Sequence, residues 1–170
     1  MRRFVRQALV TAALVAAPMF AATPAFAASD AAPKKTPAVA DVPAYEAEVG
    51  RLINVERVKR GCSALRTDGR LAKAARAHSS DMVRSSYFSH TGADGSTFVT
   101  REVAAGYPRN GASAENIAWG YRTPQDVVTG WMNSPGHRAN ILDCSSIAAG
   151  VGLFYASSGA AYWTQDFGRI

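Results

Sequence analysis

The 170-residue chain contains little of what would identify a familiar hydrolase. It has no HExxH pattern, so a zinc-peptidase assignment is weak, and no G-x-S-x-G elbow, which argues against a serine nucleophile of the α/β-hydrolase kind. It has only two cysteines and three histidines. No internal repeat appears, and the longest apolar stretch, Leu9 to Phe20, is too short to span a bilayer core of ~30 Å comfortably. These absences leave one small domain whose few histidines must be examined individually.

The positive charge of the chain is modest once its distribution is considered. The formal net charge is +6. Three of the 19 basic residues, Arg2, Arg3 and Arg6, lie at the N-terminus, so the rest of the chain has 16 basic against 13 acidic residues, a net charge of +3. The other basic residues are scattered along predicted helices, where charges most often mark solvated faces. The sequence therefore does not favour nucleic-acid binding.

The first 27 residues have the pattern of a secretory signal peptide. A basic start is followed by an apolar core and by Ala25-Phe26-Ala27, a small-x-small cleavage site. A retained signal anchor is the alternative. Residues 28–42 are rich in alanine, proline and lysine and have almost nothing to bury, which predicts a disordered leader. Residues 43–170 are enough for one domain. We therefore expect a secreted protein with no membrane span in its mature form.

Cys62 and Cys144 are the only cysteines. In an exported chain an even count favours one disulfide, and two buried free thiols are the alternative. A bridge that closes so long a loop would contribute ~4 kcal/mol by restricting the unfolded chain. It would also stiffen the turn that presents His137.

Apolar periodicity and turn residues predict an α+β fold. The predicted elements, in chain order, are helices at 44–60, 68–85 and 97–105, an extended segment at 114–120, a helix from 123, and strands at 148–155 and 161–167. Ser157-Ser158-Gly159 separates the last two strands, which is typical of an antiparallel hairpin. Helices first and a hairpin last indicate helices packed on a small antiparallel sheet.

The segment WMNSPGHRANIL, residues 131–142, joins the end of a helix to a candidate site. Thr123-Pro124 predicts where this helix begins, with a cap followed by a proline at the first helical position. Pro135-Gly136 is expected to break it, because proline disfavours helical geometry in the residue before it. His137 follows at once, and we expect it to project from a fixed turn.

The other two histidines have different surroundings. His78 shares a predicted helix face with apolar residues, which is more typical of a hydrogen-bonded core histidine than of a ligand. His90 ends an element, and the preceding Tyr87 and Phe88 could hold its backbone while the ring faces a cleft. Glu115 starts the extended segment, where a surface carboxylate or a turn cap is the alternative to a site residue.

Two serines lie near histidines in the sequence, so a Ser-His-acid site has to be considered. Ser89 adjoins His90, and Ser134 lies three residues before His137. Neither serine is in a strand-turn-helix elbow, and neighbours in sequence need not have catalytic geometry. The pattern does not favour this chemistry.

Four motifs, in this order and at these intervals, resemble one protein family. They are YFSHTGADGST, AENIAWGY, GWMNSPGHRANIL and YWTQDFG. Together they resemble the CAP superfamily of cysteine-rich secretory, antigen 5 and pathogenesis-related-1 proteins (the SCP-like domain), in its bacterial secreted form, over about residues 42–168. The resemblance implies an α-β-α sandwich with a central antiparallel sheet and an open cleft lined by histidine and acidic side chains.

The resemblance also implies which residues line the cleft. Carried over by position, the candidate ligand-binding residues are His90, Glu115, Asn116, Ser134 and His137. Ser134 stands where eukaryotic relatives usually have a second glutamate, and Tyr162 stands where they usually have a second histidine. A trio of His90, Glu115 and His137 is therefore expected in place of their four-residue cleft.

Several chemistries are open to this trio. His90, Glu115 and His137 are an acceptable ligand set for Zn²⁺ or a similar divalent ion, with a position left for water or substrate, which would allow metal-assisted, peptidase-like hydrolysis. The favoured hypothesis is a non-catalytic module that binds a lipid, a glycan or another cell-envelope component. A third possibility is a polar cluster that satisfies its own hydrogen bonds and stabilises the fold. The sequence identifies neither ligand nor oligomeric state.

Overall fold

The structure, a computed structural model, describes residues 42–170. The predicted signal peptide at 1–27 lies outside these residues. The predicted leader also lies outside them, apart from Val42, which is the first residue of the first helix.

The described residues form five α-helices, four strands and a short 3₁₀ helix at Arg109–Gly111. The helices are α1 (Val42–Lys59), α2 (Gly69–Arg84), α3 (Phe98–Ala104), α4 (Pro124–Asn133) and α5 (Pro135–Ile141). The strands are β1 (Arg66–Thr67), β2 (Ala112–Trp119), β3 (Ala148–Tyr155) and β4 (Ala161–Gly168). None of the helices between residues 42 and 170 has the length and apolar character needed to cross a bilayer.

Side-chain caps explain where three of the helices begin. The Asp68 carboxylate accepts from the backbone N–H of Arg70 at the start of α2. Thr97 and Thr100 form a reciprocal capping box at the start of α3. The Thr123 hydroxyl caps α4, whose first residue is a proline, as predicted.

The four strands form one sheet in the order β1-β3-β4-β2. β4 is antiparallel to both β3 and β2, and its pairing with β3 confirms the predicted hairpin. β1 adds only two residues and pairs parallel to β3. The sheet is therefore mixed, because the chain leaving α1 runs along the edge of β3 in the same direction before it enters α2.

Helices cover both faces of the sheet, so the predicted α-β-α sandwich is confirmed. On one face, α1 and α4 pack against the strands around three fully buried residues, Trp131, Trp163 and Phe167. On the other face, α2 lies on β3 and β4. Since side chains alternate along a strand, the neighbours of Trp163 and Phe167, namely Thr164 and Asp166, point toward the α2 face.

The approach of α2 to the sheet is so close that β3 has glycine where the helix crosses it. A Cβ on Gly150 would lie 2.0 Å from the backbone nitrogen of Ala72, and a Cβ on Gly152 would lie 2.2 Å from that of Arg76. Ser79 on α2 donates to the Gly152 carbonyl oxygen at 3.0 Å. The missing side chains allow the helix backbone to rest on the strand, and this brings α2 close to the buried polar residues of β4.

Two independent links attach the end of α1 to the segment after α5. The predicted disulfide between Cys62 and Cys144 is confirmed, and it joins positions 82 residues apart. Arg57 on α1 is fully buried. Its guanidinium donates to the carbonyl oxygens of Ser63, Ile141, Asp143 and Ser146. The C-terminal end of α5 is therefore held by a covalent bond and by a cage of hydrogen bonds.

The prediction that His137 projects from a turn was wrong. The helix does end at Asn133, but Pro135 begins a new helix, and His137 lies in the first turn of α5. Ser134 is the single extended residue between the two helices, with φ −93° and ψ 120°. Proline restricts the residue before it yet suits the first position of a helix, so Pro135 ends one helix and starts the next.

Candidate binding cleft

Glu115 and His90 form a hydrogen-bonded pair at the centre of the site. Nδ1 of His90 lies 2.7 Å from Oε1 of Glu115. Because an ionised carboxylate can only accept, Nδ1 carries the proton, and Nε2 has the free lone pair when the ring is neutral. The Glu115 side chain is almost fully buried, whereas that of His90 is 54% exposed. The pair therefore combines a buried anchor with an imidazole that solvent and ligands can reach.

Arg101 on α3 holds the second oxygen of Glu115. Its Nη2 donates to Oε2 at 2.6 Å and to the carbonyl oxygen of His90 at 3.0 Å. Its Nη1 donates to the Ser96 carbonyl oxygen at 2.9 Å. One guanidinium thus joins α3, β2 and the loop that carries His90.

His137 is attached to the other part of the site through its backbone. Its carbonyl oxygen accepts from Nδ2 of Asn116 at 3.2 Å, and Asn140 on α5 donates both to Oδ1 of Asn116 and to the Glu115 carbonyl oxygen. Burial first, and the charge of His90 second, lower the pKa of the His137 imidazole. The two imidazoles are therefore near enough to interact electrostatically, and His137 is neutral at neutral pH.

Ser134 and His137 line a groove of about 270 Å³. Ser134 precedes α5 without capping it, so its hydroxyl is not used by the helix. A second groove, of about 450 Å³, shares Phe88 and Trp119 with the first. We call the two grooves together the cleft. It lies along β2, at the edge of the sheet, and is open to solvent.

One side of the cleft is an aromatic wall, which we define as Phe88, Trp119, Tyr121 and Tyr162. The Tyr162 ring contacts the rings of both Phe88 and Trp119, with centroids 6.4 and 6.3 Å apart. Trp119 is 57% exposed, Phe88 50% and Tyr121 39%. Large side chains exposed together in this way most often mark a binding surface.

His78 is buried, as the sequence predicted, but it lies closer to the site than expected. Its Nε2 donates to the Ser89 carbonyl oxygen at 2.9 Å and is 4.0 Å from Oε2 of Glu115. Burial is the main cause that lowers the pKa of His78. The ring therefore supports the loop before His90 as a neutral hydrogen-bond donor.

Two further carboxyl groups, Glu102 on α3 and Asp166 on β4, are fully buried near Glu115. Asp166 is the direct partner of Glu115 in the register of β2 and β4. No oxygen of either carboxyl group has a hydrogen-bond donor among the described residues. Burial first, and the charge of Glu115 second, raise the pKa of Glu102 to about 8 and that of Asp166 well above its ordinary value. Both groups are therefore mainly protonated at neutral pH.

The contacts of Glu115 do not fit a divalent ion held by His90, Glu115 and His137. Both Glu115 oxygens are already used, one by His90 and one by Arg101, and the guanidinium brings positive charge to the place where the ion would bind. Within residues 42–170, no three His, Cys, Asp or Glu side chains are grouped so that they could hold a metal ion. Zinc binding by this trio stays a prediction.

Three residues of the site, Arg101, Glu102 and Asp166, were not predicted from the sequence. The first two lie on a short helix, where charged residues are usually solvated, so no local pattern separates them from surface residues. Asp166 offered a signal, because it precedes Phe167 in a predicted strand and is the one charged residue of that strand. An acidic residue at such a position points to a buried polar site.

The fold and the site together define a class of protein: an α-β-α sandwich with a cleft at the edge strand, where a buried glutamate orients an exposed histidine. The family model of the CAP, or cysteine-rich secretory protein, family matches residues 51–167. The chain belongs to this family, and the resemblance found in its four motifs is thereby confirmed.

Relatives are found among bacterial proteins. YkwD, an uncharacterized Bacillus subtilis protein, is 45% identical over 134 residues, which are 78% of this chain and 50% of YkwD. YlbC, an uncharacterized Bacillus subtilis membrane protein, is 35% identical over 122 residues, which are 72% of this chain and 34% of YlbC. The chain thus spans half or less of the length of these relatives.

A solved structure gives the same fold. An extracellular protein containing an SCP domain, from Bacillus anthracis, superposes with a TM-score of 0.70 at 29% identity, over 76% of this chain and 41% of that one. An outer surface protein from Borrelia burgdorferi superposes with a TM-score of 0.64 at 22% identity, over 71% of this chain and 89% of that one, and supports the fold alone.

Proposed function

We propose that this protein is an extracellular binding module whose cleft takes a saccharide of the cell envelope. The aromatic wall is the observation that carries the proposal. Three of its rings are more than a third exposed, and Ser134 and His137 line the same groove as Phe88, Trp119 and Tyr121. A ligand that covers this surface needs an apolar face for the rings and polar groups for the His137 imidazole and the Ser134 hydroxyl.

A sugar ring has both kinds of surface. The C–H bonds on one face of a pyranose carry partial positive charge and stack on the electron-rich face of an aromatic ring. Its hydroxyl groups donate and accept hydrogen bonds, which suits the Ser134 hydroxyl and the neutral His137 imidazole. The two grooves, of about 270 and 450 Å³, are of the size that small ligands occupy.

An acyl chain fits the cleft less well than a sugar does. A lipid tail gains most when apolar surface encloses it on all sides. Both grooves are instead open to solvent, and the polar side chains of Ser134 and His137 line the smaller one. The open shape therefore favours a glycan over a lipid.

An extracellular location is supported by three independent features. The N-terminal residues have the pattern of a signal peptide. The disulfide between Cys62 and Cys144 is of a kind that persists in oxidising compartments. The similar Bacillus anthracis structure is described as an extracellular protein.

Calorimetric titration of the parent and of Trp119→Ala tests the proposal, because its signal does not depend on the residue that is replaced. The probes are the β-1,4-linked tetramers of N-acetylglucosamine and of glucose, with palmitate as the lipid probe. We expect saturable binding of at least one tetramer and a loss of affinity of about tenfold or more in Trp119→Ala, as for the truncation of an aromatic anchor. Val58→Ala is the matched control, since Val58 is 62% exposed on α1.

Two results would contradict the saccharide proposal. One is saturable binding of palmitate with no response to either tetramer. The other is binding of a tetramer that Trp119→Ala leaves unchanged, because the ligand would then lie away from the aromatic wall.

Hydrolysis is a second candidate, and the hydrogen bond between Glu115 and His90 favours it. A carboxylate that orients a neutral imidazole leaves the other ring nitrogen free to accept a proton, which is the geometry of a general base. The test is incubation of the same tetramers with the protein, followed by analysis of the products. The binding proposal expects intact tetramers, whereas cleavage that disappears in His90→Gln would establish the hydrolase.

A further inference from the structure

The buried part of the site contains more acidic than basic side chains. Glu102, Glu115 and Asp166 are all nearly or fully buried. The groups that face them come from each surrounding element: neutral His78 from α2, Arg101 from α3, and His90 from the loop above Glu115. β3 places Gly150 opposite Asp166 and adds no charge. Arg101 is therefore the one permanent cation among these groups.

This imbalance has a large energetic consequence. Three ionised carboxylates around one guanidinium would leave two negative charges in a region that excludes water, and an uncompensated buried charge is strongly unfavourable. Protons remove the excess at a much smaller cost. A neutral pair of acids, one ionised glutamate and one arginine leave the buried cluster without net charge.

The contacts indicate which group stays ionised. Glu115 accepts from His90 and from Arg101, so its negative charge is matched on both oxygens. No donor among residues 42–170 reaches the carboxyl oxygens of Glu102 or Asp166, so no hydrogen bond would stabilise a negative charge on either group. Asp166 also pairs with Glu115 in the register of β2 and β4, so a negative charge on Asp166 would be repelled by that of Glu115.

We propose that Arg101 is the built-in cation of the buried cluster around Glu115, and that Asp166 and Glu102 are neutral carboxylic acids which keep Glu115 as the single anion that orients His90. Arg101 fills the electrostatic role that the zinc hypothesis gave to a metal ion. Asp166 and Glu102 are positioning residues, because they act on the cleft through Glu115 and Arg101. This inference does not rest on the saccharide proposal and would hold for any ligand.

Infrared difference spectroscopy tests the protonation state directly, since the C=O stretch of a protonated carboxyl group is separate from that of a carboxylate. The spectra compare the full protein with Asp166→Asn and Glu102→Gln at pH 6. These amides keep the size of each side chain and carry no titratable proton. We expect the parent to show signal from buried protonated carboxyl groups, and each variant to lose a distinct part of it. A parent without such signal, or variants that leave it unchanged, would overturn the proposal.

Zinc titration by calorimetry tests the role of Arg101. The parent is expected not to bind Zn²⁺ at the cleft. Arg101→Met removes the guanidinium, so Glu115 is free to attract an ion, and affinity should rise by about tenfold or more. Arg101→Lys keeps a positive charge near Glu115 and should behave as the parent does. Tight zinc binding by the parent that His137→Ala abolishes would refute this role, and the infrared result does not depend on whether Arg101→Met folds.

Discussion

Replacing Glu102 by glutamine should remove the part of the decline in stability between pH 5 and pH 8 that comes from this residue, while Asp166 keeps its own part. Glu102 is fully buried without a hydrogen-bond donor, and its pKa is raised to about 8 from an ordinary 4.5. The folded protein therefore holds a proton that the unfolded chain releases. The contribution of the neutral acid is fully present below about pH 4.5 and is lost as the pH rises through about 8.

The size of this effect follows from the shift in pKa. Between pH 5 and pH 8 a raised value of this kind lowers the free energy of unfolding of the parent by about 3 kcal/mol. Glutamine has nearly the same volume and does not titrate, so the variant lacks the contribution of Glu102 to the slope. With a typical urea dependence of ~1.5 kcal/mol per molar, the urea midpoints of parent and variant should shift relative to each other by about 2 M over this range.

The assay is urea denaturation of the parent and of Glu102→Gln at several pH values from 5 to 8. Glu48→Gln is the matched control, because Glu48 is partly exposed on α1 and its pKa is lowered by the Arg51 hydrogen bond. This control should keep the slope of the parent. If the curves of parent and Glu102→Gln run parallel across the range, Glu102 does not hold a proton in the folded protein and the charge balance inferred for the cluster is wrong.

Three further predictions concern the packing of α2 on the sheet, the disulfide and the hydrogen bonds of Arg57. Gly150→Ala should lower the free energy of unfolding by about 3 kcal/mol, because its Cβ meets backbone of α2, whereas Gly50→Ala, with open space around it, should raise it by about 0.5 kcal/mol. Equal melting temperatures for the two variants would contradict the close helix-to-sheet contact. Cys144→Ser should lower the free energy of unfolding by about 4 kcal/mol. A urea midpoint of the parent that does not change when reductant is added would refute this. Arg57→Met should cost about 3 kcal/mol by leaving buried carbonyl groups unpaired, which chemical denaturation at neutral pH would measure.

The parts of the fold that could be predicted from sequence are those with local signals. Thr123 and Pro124 mark the start of α4 by side-chain capping and ring geometry, and the two final strands are separated by a turn of small residues. The four motifs predicted the family, and the even number of cysteines predicted the disulfide. Pro135 was misinterpreted because one proline can end a helix and begin another, and the local sequence does not distinguish the two roles.

The sequence predicted only part of the candidate site. The motifs indicated His90 and Glu115, which the structure places in contact. The partner of the second Glu115 oxygen is Arg101, 14 residues away on a helix that packs against β2, and this pairing depends on the tertiary fold. The role of Asp166 likewise depends on the register of β4 with β2, which sequence patterning alone does not set.

Because α5 is attached in two ways, loss of one attachment can shorten the lifetime of the folded protein without changing the shape of its cleft. If the disulfide is reduced, the Arg57 guanidinium still binds the carbonyl groups at the end of α5, and Asn116 and Asn140 still join that helix to β2. Reduction should therefore make the molecule unfold and be degraded sooner, while each folded copy continues to bind as strongly as before. In a reducing medium fewer molecules of this protein would remain folded, and the molecules that do remain folded would bind their ligand with unchanged affinity.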